Sequence, residues 1–506
     1  MIRKTNPLRL ALIALLCGAV MTLGYAPFSF WPVIPLALIS FFLLLTHSQR
    51  PAWLGFSFGL GWFSAGVGWV YVSIADYGGF PLPVSLLLML LLAAYLAFYP
   101  MLFASLLARF SPVLWPLAAP VLWALCEFLR GHLLTGFPWL ALGYSQIDSP
   151  LAGWLPVIGQ AGISVLLIIG AAATAGLLSK RRYVTAVTPF AILLLSGLAV
   201  QQVSWQSGTL STPKITLVQG NIAQSIRWQP ETEQPTMDKY LALTEPHWES
   251  DIIIWPEAAI PRIEPLAQQF LVDLDKRAAD EHSGLITGIL NYNLDSREAF
   301  NGVIALGATT GDGPSYLYEH NNRYYKHHLL PIGEFVPFES WLRKLGGIFD
   351  LAWSSFQRGD YLQPDLIAKQ YRLTTALCYE ILFAEQVRDN LKSDTDFILT
   401  LSNDAWFGHS HGPHQHLEIA RVRAAEFGIA VLRATNNGLT AMIDAQGKII
   451  AKAPAFEATT LSQDVPVVRT DTPYRRFGDA PLWLLLGLAG IIALGLQRTI
   501  RRRPSH

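Results

Sequence analysis

The stretch that decides the fold is Leu-Thr-Thr-Ala-Leu-Cys-Tyr-Glu at positions 373–380, because it has the pattern of a buried strand that leads into a cysteine. Cys378 is the only cysteine in the polar part of the chain. A single thiol has no disulfide partner within its own domain. Cys378 is therefore either a small buried apolar side chain or a nucleophile.

Two further strand-like runs upstream favour the nucleophile. They read Ile-Ile-Ile-Trp-Pro-Glu at 252–257 and Asn-Arg-Tyr-Tyr-Lys at 322–326, and each stops at an ionisable residue. A lone charged side chain at a strand end is usually solvated. Three such ends in one domain instead predict that the carboxylate of Glu257, the ammonium of Lys326 and the thiol of Cys378 meet along one edge of a sheet.

Composition places the chain among membrane proteins. Of its 506 residues, 52% are hydrophobic and only 15% are charged, which is too apolar for a soluble protein of this length. The 37 Lys and Arg residues balance the 37 Asp and Glu residues, and the polar part has no basic stretch. We therefore expect no nucleic-acid partner. Cys17 and Cys126 lie in apolar runs, so the sequence contains no disulfide framework.

Eight apolar stretches are long enough to cross a hydrocarbon core of ~30 Å, which takes roughly 20 helical residues. They lie at about 8–23, 30–45, 53–74, 82–107, 113–129, 151–178, 184–203 and 481–496. The predicted domains are a seven-helix transmembrane region at 1–205, a polar domain at 206–478, and an eighth transmembrane helix with a basic tail at 479–506.

The basic residues of the short loops predict the orientation. Under the seven-helix count, Arg50, Arg109, the run 180–182 and the basic tail after 497 fall on one side, which the positive-inside rule assigns to the cytoplasm. An odd number of spans then places the polar domain outside the cytoplasmic membrane. The basic pair at 475–476 opposes the rule, but a large translocated domain is governed less by such charges.

Strand-like and helix-like patterns alternate through the polar domain. The strand candidates are 215–219, 252–255, 285–290, 303–306, 373–378, 397–401, 429–433 and 440–443. The helix candidates are 237–248, 266–281, 383–391 and 416–427. Two halves with a similar order of strands and helices predict an α/β fold of two sheets covered by helices, an αββα sandwich.

The three ionisable groups suit acyl transfer. A free cysteine with a pKa of about 8.5 is only a few per cent thiolate at neutral pH, so it needs a base. Glu257, partly desolvated beside Trp255 and Pro256, could accept the thiol proton and return it to the leaving group. Lys326 would place a fixed positive charge near the oxyanion of a tetrahedral intermediate.

These motifs resemble a known superfamily. Trp-Pro-Glu at 255–257, Lys326 followed by His-His-Leu-Leu-Pro-Ile-Gly-Glu-Phe-Val-Pro, and Leu-Cys-Tyr-Glu at 377–380 are similar to the Glu-Lys-Cys motifs of the nitrilase, or carbon-nitrogen hydrolase, superfamily. Set between membrane helices and followed by Thr-Leu-Ser-Asn-Asp-Ala-Trp-Phe-Gly at 400–408, they resemble the bacterial apolipoprotein N-acyltransferase family. The resemblance extends over essentially the whole chain.

The resemblance implies a nitrilase-like catalytic domain with Glu257 as general base, Lys326 as oxyanion stabiliser and Cys378 as the nucleophile that accepts the acyl chain. It also implies supporting or substrate-binding residues, namely Glu334, Tyr379, Glu380, Trp228 and Asn403. It implies no cofactor and no metal. His409, His411, His414 and His416 crowd one loop, yet they complete no familiar metal-binding pattern.

The implied reaction takes an acyl chain from a membrane phospholipid, chiefly phosphatidylethanolamine, onto the cysteine as a thioester. The thioester then acylates the α-amino group of S-diacylglyceryl-cysteine at the N-terminus of a diacylated apolipoprotein. The implied location is the bacterial inner membrane, crossed several times, with the catalytic domain in the periplasm. Confinement of both substrates to the outer leaflet explains why a nitrilase-like domain would be tethered to helices.

Two other functions remain open on the residues alone. The same three groups would serve a membrane-bound amidase or nitrilase that uses water as the acceptor. A transporter or receptor whose external domain only binds lipid or peptide is a non-enzymatic alternative. Two local hypotheses also arise: a structural ion pair between Glu127 and Arg130, and a mobile membrane-dipping lid at 341–353.

Overall fold

The computed structural model describes residues 6–307, 316–331, 333–335 and 356–502, which form two compact units. The first unit comprises the described residues of Met1–Trp205, Phe407–Glu418 and Thr472–His506. The second comprises those of Gln206–Trp406 and Ile419–Asp471. The lid hypothesis concerns 341–353, which lies outside the described residues. The boundaries predicted from the sequence, at 205 and 478, divide the chain into contiguous domains, and they stay predictions.

The first unit is helical. Proline stands in the first turn of many of its helices, where a missing backbone N–H leaves no hydrogen bond unmade. Its helices are Pro7–Val20, Val33–His47, Pro51–Gly66, Val70–Val72, Leu82–Leu107, Trp115–His132, Leu155–Ser179, Thr188–Val200, Pro473–Phe477 and Ala480–Arg502. All eight predicted apolar stretches are therefore helical along most of their length.

Length and apolar character identify five candidate spans among the described residues: Pro7–Gly24, Leu82–Leu107, Pro112–Thr135, Pro150–Ser179 and Ala480–Arg502. Pro51–Gly66 and Val70–Tyr77 would together form a sixth span, bent by 63°. Val33–His47 and Thr185–Val200 are apolar but shorter. The helices fit a membrane protein, whereas the count of eight spans stays a prediction.

Two glycines let the helices Pro7–Val20 and Pro51–Gly66 approach closely. A Cβ atom built on Gly18 would lie 1.9 Å from the carbonyl oxygen of Phe58, and one built on Gly61 would lie 1.9 Å from that of Leu15. Small residues at helix contacts are typical of packing in lipid, where backbone proximity supplies dispersion energy that the hydrophobic effect does not. A larger side chain at either position would force these helices apart.

The segment Phe407–Glu418 packs within the first unit although it follows a strand of the second. Gln415 is 2% exposed, and its Oε1 accepts hydrogen bonds from the indole Nε1 of Trp69 at 3.1 Å and of Trp139 at 2.7 Å. Its Nε2 donates to the carbonyl of Gly66 at 3.1 Å. The backbone N–H of Ala26 donates to Glu418 Oε2 at 2.8 Å. Hydrogen bonds to the end of the helix Pro51–Gly66 and to the turns at Ala26, Trp69 and Trp139 thus fix this segment.

The second unit is built on β-strands. They are β1 Gln206–Ser211, β2 Lys214–Gln219, β3 Ile252–Ile254, β4 Gly284–Tyr292, β5 Ala299–Gly307, β6 Arg323–Tyr325, β7 Leu366–Ala368, β8 Tyr371–Thr375, β9 Phe397–Ser402, β10 Val431–Thr435, β11 Ala441–Ile443, β12 Ile449–Lys452, β13 Thr459–Asp464 and β14 Val467–Thr470. β1 and β14 pair as a short antiparallel ribbon. The others form two six-stranded sheets.

The two sheets have matching halves. The first has the order β13-β2-β3-β4-β5-β6 and the second β12-β11-β10-β9-β8-β7. β2, β3 and β4 run parallel in the first sheet, and so do β8, β9 and β10 in the second. These central strands are buried on both faces, which explains why the sequence shows them as continuous apolar runs rather than alternating ones.

One apolar core joins the sheets and a second lies under the helices. The inner core contains Ile252, Ile254, Leu373 and Leu399 from strands of both sheets. On the outer face of the first sheet, β4 and β5 contact the helix Glu264–Asp280, and β2 contacts Pro230–Thr244. Ala384–Asn390 contacts β8 of the second sheet. The αββα sandwich expected from the sequence is the fold of this unit.

Candidate active site

The strand directions bring three of the predicted residues to one edge. β3 and β4 are parallel, β5 is antiparallel to β4, and β6 is antiparallel to β5, so β3 and β6 end at the same edge of the first sheet. Glu257 lies just beyond the end of β3, and Lys326 follows β6 directly. The carboxyl end of β8 in the facing sheet leads to Cys378.

Cys378 stands on a sharp turn rather than in a strand. The predicted strand 373–378 is too long, because β8 ends at Thr375 and Cys378 begins a 3-10 turn that runs to Leu382. Its φ of +54° lies in the left-handed region, which residues other than glycine rarely adopt. Such strain is typical of functional sites held by their surroundings. Here it occurs at the first residue of the turn that follows β8.

Glu257 is fixed by hydrogen bonds to both carboxylate oxygens. Its Oε1 accepts from Asn301 Nδ2 at 2.8 Å, and its Oε2 accepts from the backbone N–H of Asn403 at 2.9 Å. The side chain is 8% exposed. Arg227, itself buried, donates from Nη2 to the backbone carbonyls of Glu257 and Ala258. Both the carboxylate and its backbone are therefore held in place.

Lys326 and Glu334 form a buried ion pair. Lys326 Nζ lies 2.9 Å from Glu334 Oε1 and 2.8 Å from Oε2, and the lysine is 2% exposed. Asn301 Nδ2 also donates to Glu334 Oε1 at 2.9 Å, and the backbone carbonyl of Asn301 accepts from Lys326 N at 2.8 Å. Asn301 thus links Glu257 to the Lys326–Glu334 pair.

The electrostatics of the three groups are coupled. Burial raises the pKa of Cys378 to about 12; the Glu257 carboxylate also raises this pKa, whereas Lys326 lowers it. Burial alone would lower the pKa of Lys326, but the negative charge of Glu334, that of the Cys378 thiolate once it forms, and that of Glu257 raise this pKa above its ordinary value. The lysine is therefore a permanent cation. The thiol is protonated at neutral pH and needs a base when it attacks.

Glu380 holds the backbone on both sides of the site. Its Oε1 accepts from the backbone N–H groups of His327 at 2.8 Å and His328 at 2.9 Å, next to Lys326. Its Oε2 accepts from Leu377 N at 2.7 Å, next to Cys378, and from the Tyr324 hydroxyl at 2.8 Å. A fully buried carboxylate with these donors acts as a clamp between the lysine turn and the cysteine turn.

The remaining predicted residues lie around this centre. The Tyr379 ring is 5.9 Å from that of His328 and 5.4 Å from that of Phe383, so it packs beside the cysteine turn. Trp228 is partly buried, and the guanidinium carbon of Arg227 lies 5.9 Å from its ring. Because Arg227 also binds the Glu257 backbone, the Trp228 loop and the predicted base are mechanically connected.

Asn403 contacts the site in two ways. Besides the bond from its backbone to Glu257, its Nδ2 donates to Gln224 Oε1 at 2.6 Å, and its Oδ1 accepts from Asn436 Nδ2 at 3.0 Å. The side chain therefore ties the end of β9 to the loop that carries Trp228. Sequence reasoning missed Asn301 and Arg227, since neither carries a signal that distinguishes it from an ordinary strand or loop residue.

The structure also shows the contacts of the histidine-rich loop and of Glu127 and Arg130. His411 contacts Phe28, with ring centroids 5.2 Å apart, and no group of three or more His, Cys, Asp or Glu in the described ranges is placed to hold a metal. Glu127 Oε1 accepts from Leu142 N at 3.3 Å, and Arg130 Nη1 donates to the carbonyls of Phe137 and Trp139. Each side chain therefore contacts the backbone of 137–142, and the ion pair between Glu127 and Arg130 stays a prediction.

Comparison with known proteins defines the class. Residues 214–473 match the family model described as Carbon-nitrogen hydrolase, and residues 17–173 match the one described as Apolipoprotein N-acyltransferase N-terminal domain. The sandwich domain is thus a carbon-nitrogen hydrolase domain. Among solved structures, a nitrilase-superfamily protein of Saccharomyces cerevisiae aligns with a TM-score of 0.37 and 15% identity, covering 54% of this chain and 96% of its own.

Full-length relatives define the family. The chain is 48% identical to the apolipoprotein N-acyltransferase of Vibrio cholerae over 511 residues, covering 99% of each protein. It is 40% identical to that of Haemophilus influenzae, covering 97% of this chain and 95% of the relative. The chain belongs to the apolipoprotein N-acyltransferase family. It is an acyltransferase of lipoprotein biosynthesis with a nitrilase-like domain.

Proposed function

We propose that this enzyme transfers an acyl chain from a membrane phospholipid to the N-terminal α-amino group of S-diacylglyceryl-cysteine, in two half reactions through a thioester on Cys378. The observation that carries the proposal is the bonded series Glu257–Asn301–Glu334–Lys326 beside that thiol. It supplies a base and a fixed cation at one nucleophile. Phosphatidylethanolamine is the proposed donor, and a diacylated apolipoprotein is the proposed acceptor.

In the first half reaction the sulfur of Cys378 attacks the ester carbonyl of the phospholipid while Glu257 takes the thiol proton. The carbonyl oxygen becomes an oxyanion, which the Lys326 ammonium stabilises. Collapse breaks the ester bond, and Glu257 returns the proton to the leaving alcohol, which departs as lysophospholipid. The pKa of Cys378 at about 12 makes this base necessary at neutral pH.

In the second half reaction the amine of the acceptor attacks the thioester carbonyl. Glu257 takes a proton from the amine, and Lys326 again faces the oxyanion. The C–S bond breaks, the sulfur recovers its proton from Glu257, and the product is an amide. Glu334, Glu380 and Asn403 position these groups through the hydrogen bonds described above. Tyr379 and Trp228 are proposed to line the path of the acyl chain.

The experiment that tests the function uses the purified full-length protein in detergent with phosphatidylethanolamine of defined acyl chains and no acceptor. Intact-mass spectrometry should show one added acyl chain on the wild type. Hydroxylamine should remove this chain in one sample, and a diacylated lipopeptide should remove it in a parallel sample. Release of free fatty acid without a stable adduct would indicate a hydrolase that uses water. Neither adduct nor release would indicate a binding protein and contradict the proposal.

We further propose that the enzyme crosses the bacterial inner membrane and that its catalytic domain faces the periplasm. A cysteine introduced at Asp295, an exposed position in the β4–β5 loop, should be labelled by a membrane-impermeant maleimide from outside intact inner membranes. A cysteine at Arg182 should be labelled only after permeabilisation. Both probes would be placed in a background without native cysteines, and the reverse pattern would refute the orientation.

A further inference from the structure

A second set of polar residues approaches Cys378 from the end of β9. The hydroxyl Oγ of Ser402 lies 3.4 Å from Cys378 Sγ and 2.7 Å from Asp404 Oδ1. Asp404 Oδ2 in turn accepts from Arg433 Nη2 at 2.7 Å. Ser402, Asp404 and Arg433 are each 0% exposed. The thiol is therefore connected through a hydroxyl to a buried ion pair that is separate from Glu257 and Lys326.

The hydroxyl of Ser402 has one proton and two acceptors within reach. A hydroxyl donates a single hydrogen bond, and its hydrogen turns about the Cβ–Oγ bond without any movement of heavy atoms. While Cys378 is a neutral thiol, the Asp404 carboxylate is by far the stronger acceptor. Once the sulfur has lost its proton, the thiolate competes for the same hydrogen bond, since bonds to ionised acceptors are the stronger ones.

Asp404 tolerates the loss of that hydrogen bond because of Arg433. A buried carboxylate without compensation would be costly, but its Oδ2 remains bound to the guanidinium when the serine proton turns away. Arg433 lies on β10, and its Nε donates to the carbonyl of Leu439 at 3.2 Å, which fixes the guanidinium in turn. The ion pair thus keeps the Asp404 carboxylate in place in both states of the sulfur.

We propose that Ser402 is a positioning residue for the thiolate of Cys378, donating its proton to the sulfur when the thiolate forms and to Asp404 when the sulfur is protonated or acylated. The proposal rests on the proposed function, because it assigns Ser402 to the formation of the nucleophile and to its departure from the thioester. No covalent bond changes at Ser402, and the thiol proton still goes to Glu257.

The surroundings of Cys378 set the direction of each effect. Glu257 and Lys326 face the sulfur from the ends of β3 and β6, and Glu334 is paired with the lysine. Asp404 and Arg433 lie on the side of β9 and β10. Glu380 lies within the cysteine's own turn. The hydrogen bond from Ser402 lowers the pKa of Cys378, whereas the charge of Asp404 raises it. Removing each should therefore change thiol reactivity in opposite directions.

The test measures alkylation of Cys378 by iodoacetamide between pH 6 and 10, in full-length protein carrying Cys17→Ala and Cys126→Ala. With Ser402 intact the rate should rise throughout this range without a plateau, because the pKa is about 12. Ser402→Ala should slow alkylation about threefold to tenfold at every pH. Each unit of added pKa lowers the thiolate fraction about tenfold, while the greater nucleophilicity of the more basic thiolate recovers part of the rate.

Matched variants separate this effect from packing. Thr400 precedes Ser402 by two residues on β9, is also 0% exposed, and its hydroxyl makes no hydrogen bond among the described residues. Thr400→Val should therefore leave the profile unchanged, and Ser402→Thr, which restores a hydroxyl, should recover most of the rate. Asp404→Asn should accelerate alkylation if its melting temperature shows that it folds.

Unchanged alkylation in Ser402→Ala, or equal slowing in Thr400→Val, would overturn the proposal. Alkylation requires no acyl donor, so its result is independent of the proposed function. If Ser402→Ala slows alkylation as expected but no sample forms the acyl-enzyme, the proposed acyl transfer is refuted and the role of Ser402 stands. If Ser402→Ala keeps the wild-type dependence of alkylation rate on pH and acyl transfer is normal, the role of Ser402 is refuted and the proposed acyl transfer stands.

Discussion

Replacing Cys378 with alanine will lower the rate of acyl transfer by at least about a thousandfold, because no other group in the site can form a thioester. Alanine is tolerated at the same backbone angles about as well as cysteine, so the turn from Cys378 to Leu382 should keep its shape. The measurement is transfer of a labelled acyl chain from phosphatidylethanolamine to a diacylated lipopeptide, together with the mass of the protein after exposure to the phospholipid alone.

The matched control for this change is Cys17→Ala. Cys17 is a partly buried thiol of the helix Pro7–Val20 and lies in the other unit. Its replacement should leave the rate of transfer unaffected. Cys378→Ser should be nearly as inactive as alanine, because a hydroxyl is far less acidic than a thiol and Glu257 is too weak a base for it. Substantial turnover by the alanine variant would end the assignment of Cys378 as nucleophile.

Hydrophobic periodicity and the polar residues that end the strands predict part of the site from the sequence. β3, β8 and β9 are continuous apolar runs because both faces of the parallel strands are buried, and each run stops near a polar residue at the sheet edge. Pro256 and Glu257 mark the end of β3 and Asn403 and Asp404 that of β9, whereas β8 ends before the apolar run does. The fold of the sandwich and the location of Glu257, Lys326 and Cys378 near one another followed from this pattern.

Other features depend on tertiary contacts that leave no local signal. Asn301 lies inside β5 and looks like a polar residue of an ordinary strand, yet it connects Glu257 with Glu334. The positive φ of Cys378 arises from a turn that Glu380 clamps from a distance of two residues. The segment Phe407–Glu418 joins the helical unit although its sequence continues the polar domain. Such links appear only when the chain is folded.

Replacing Lys326 with methionine will remove the acyl-enzyme and will also destabilise the protein. Methionine has a similar length but no charge, so the oxyanion loses its stabilising cation. The Glu334 carboxylate, 9% exposed, is then left buried without its partner. Breaking a buried ion pair from one side costs about 3–5 kcal/mol. Lys369→Met is the control, since its pair with Asp251 is partly exposed and should be worth less than about 1 kcal/mol.

The double variant Lys326→Met/Glu334→Gln separates stability from chemistry. Glutamine removes the uncompensated charge, and its Oε1 can still accept from Asn301 Nδ2, but its Nε2 cannot accept from Leu330 N as Glu334 Oε2 does, so part of the lost unfolding free energy should return. The missing cation does not return, and the thioester should stay undetectable in the mass spectrum. Thermal unfolding in detergent and the phospholipid-only acylation assay measure the two properties independently. If the double variant regained acylation along with its stability, Lys326 would have only a structural role, and the oxyanion would have to be stabilised by another group.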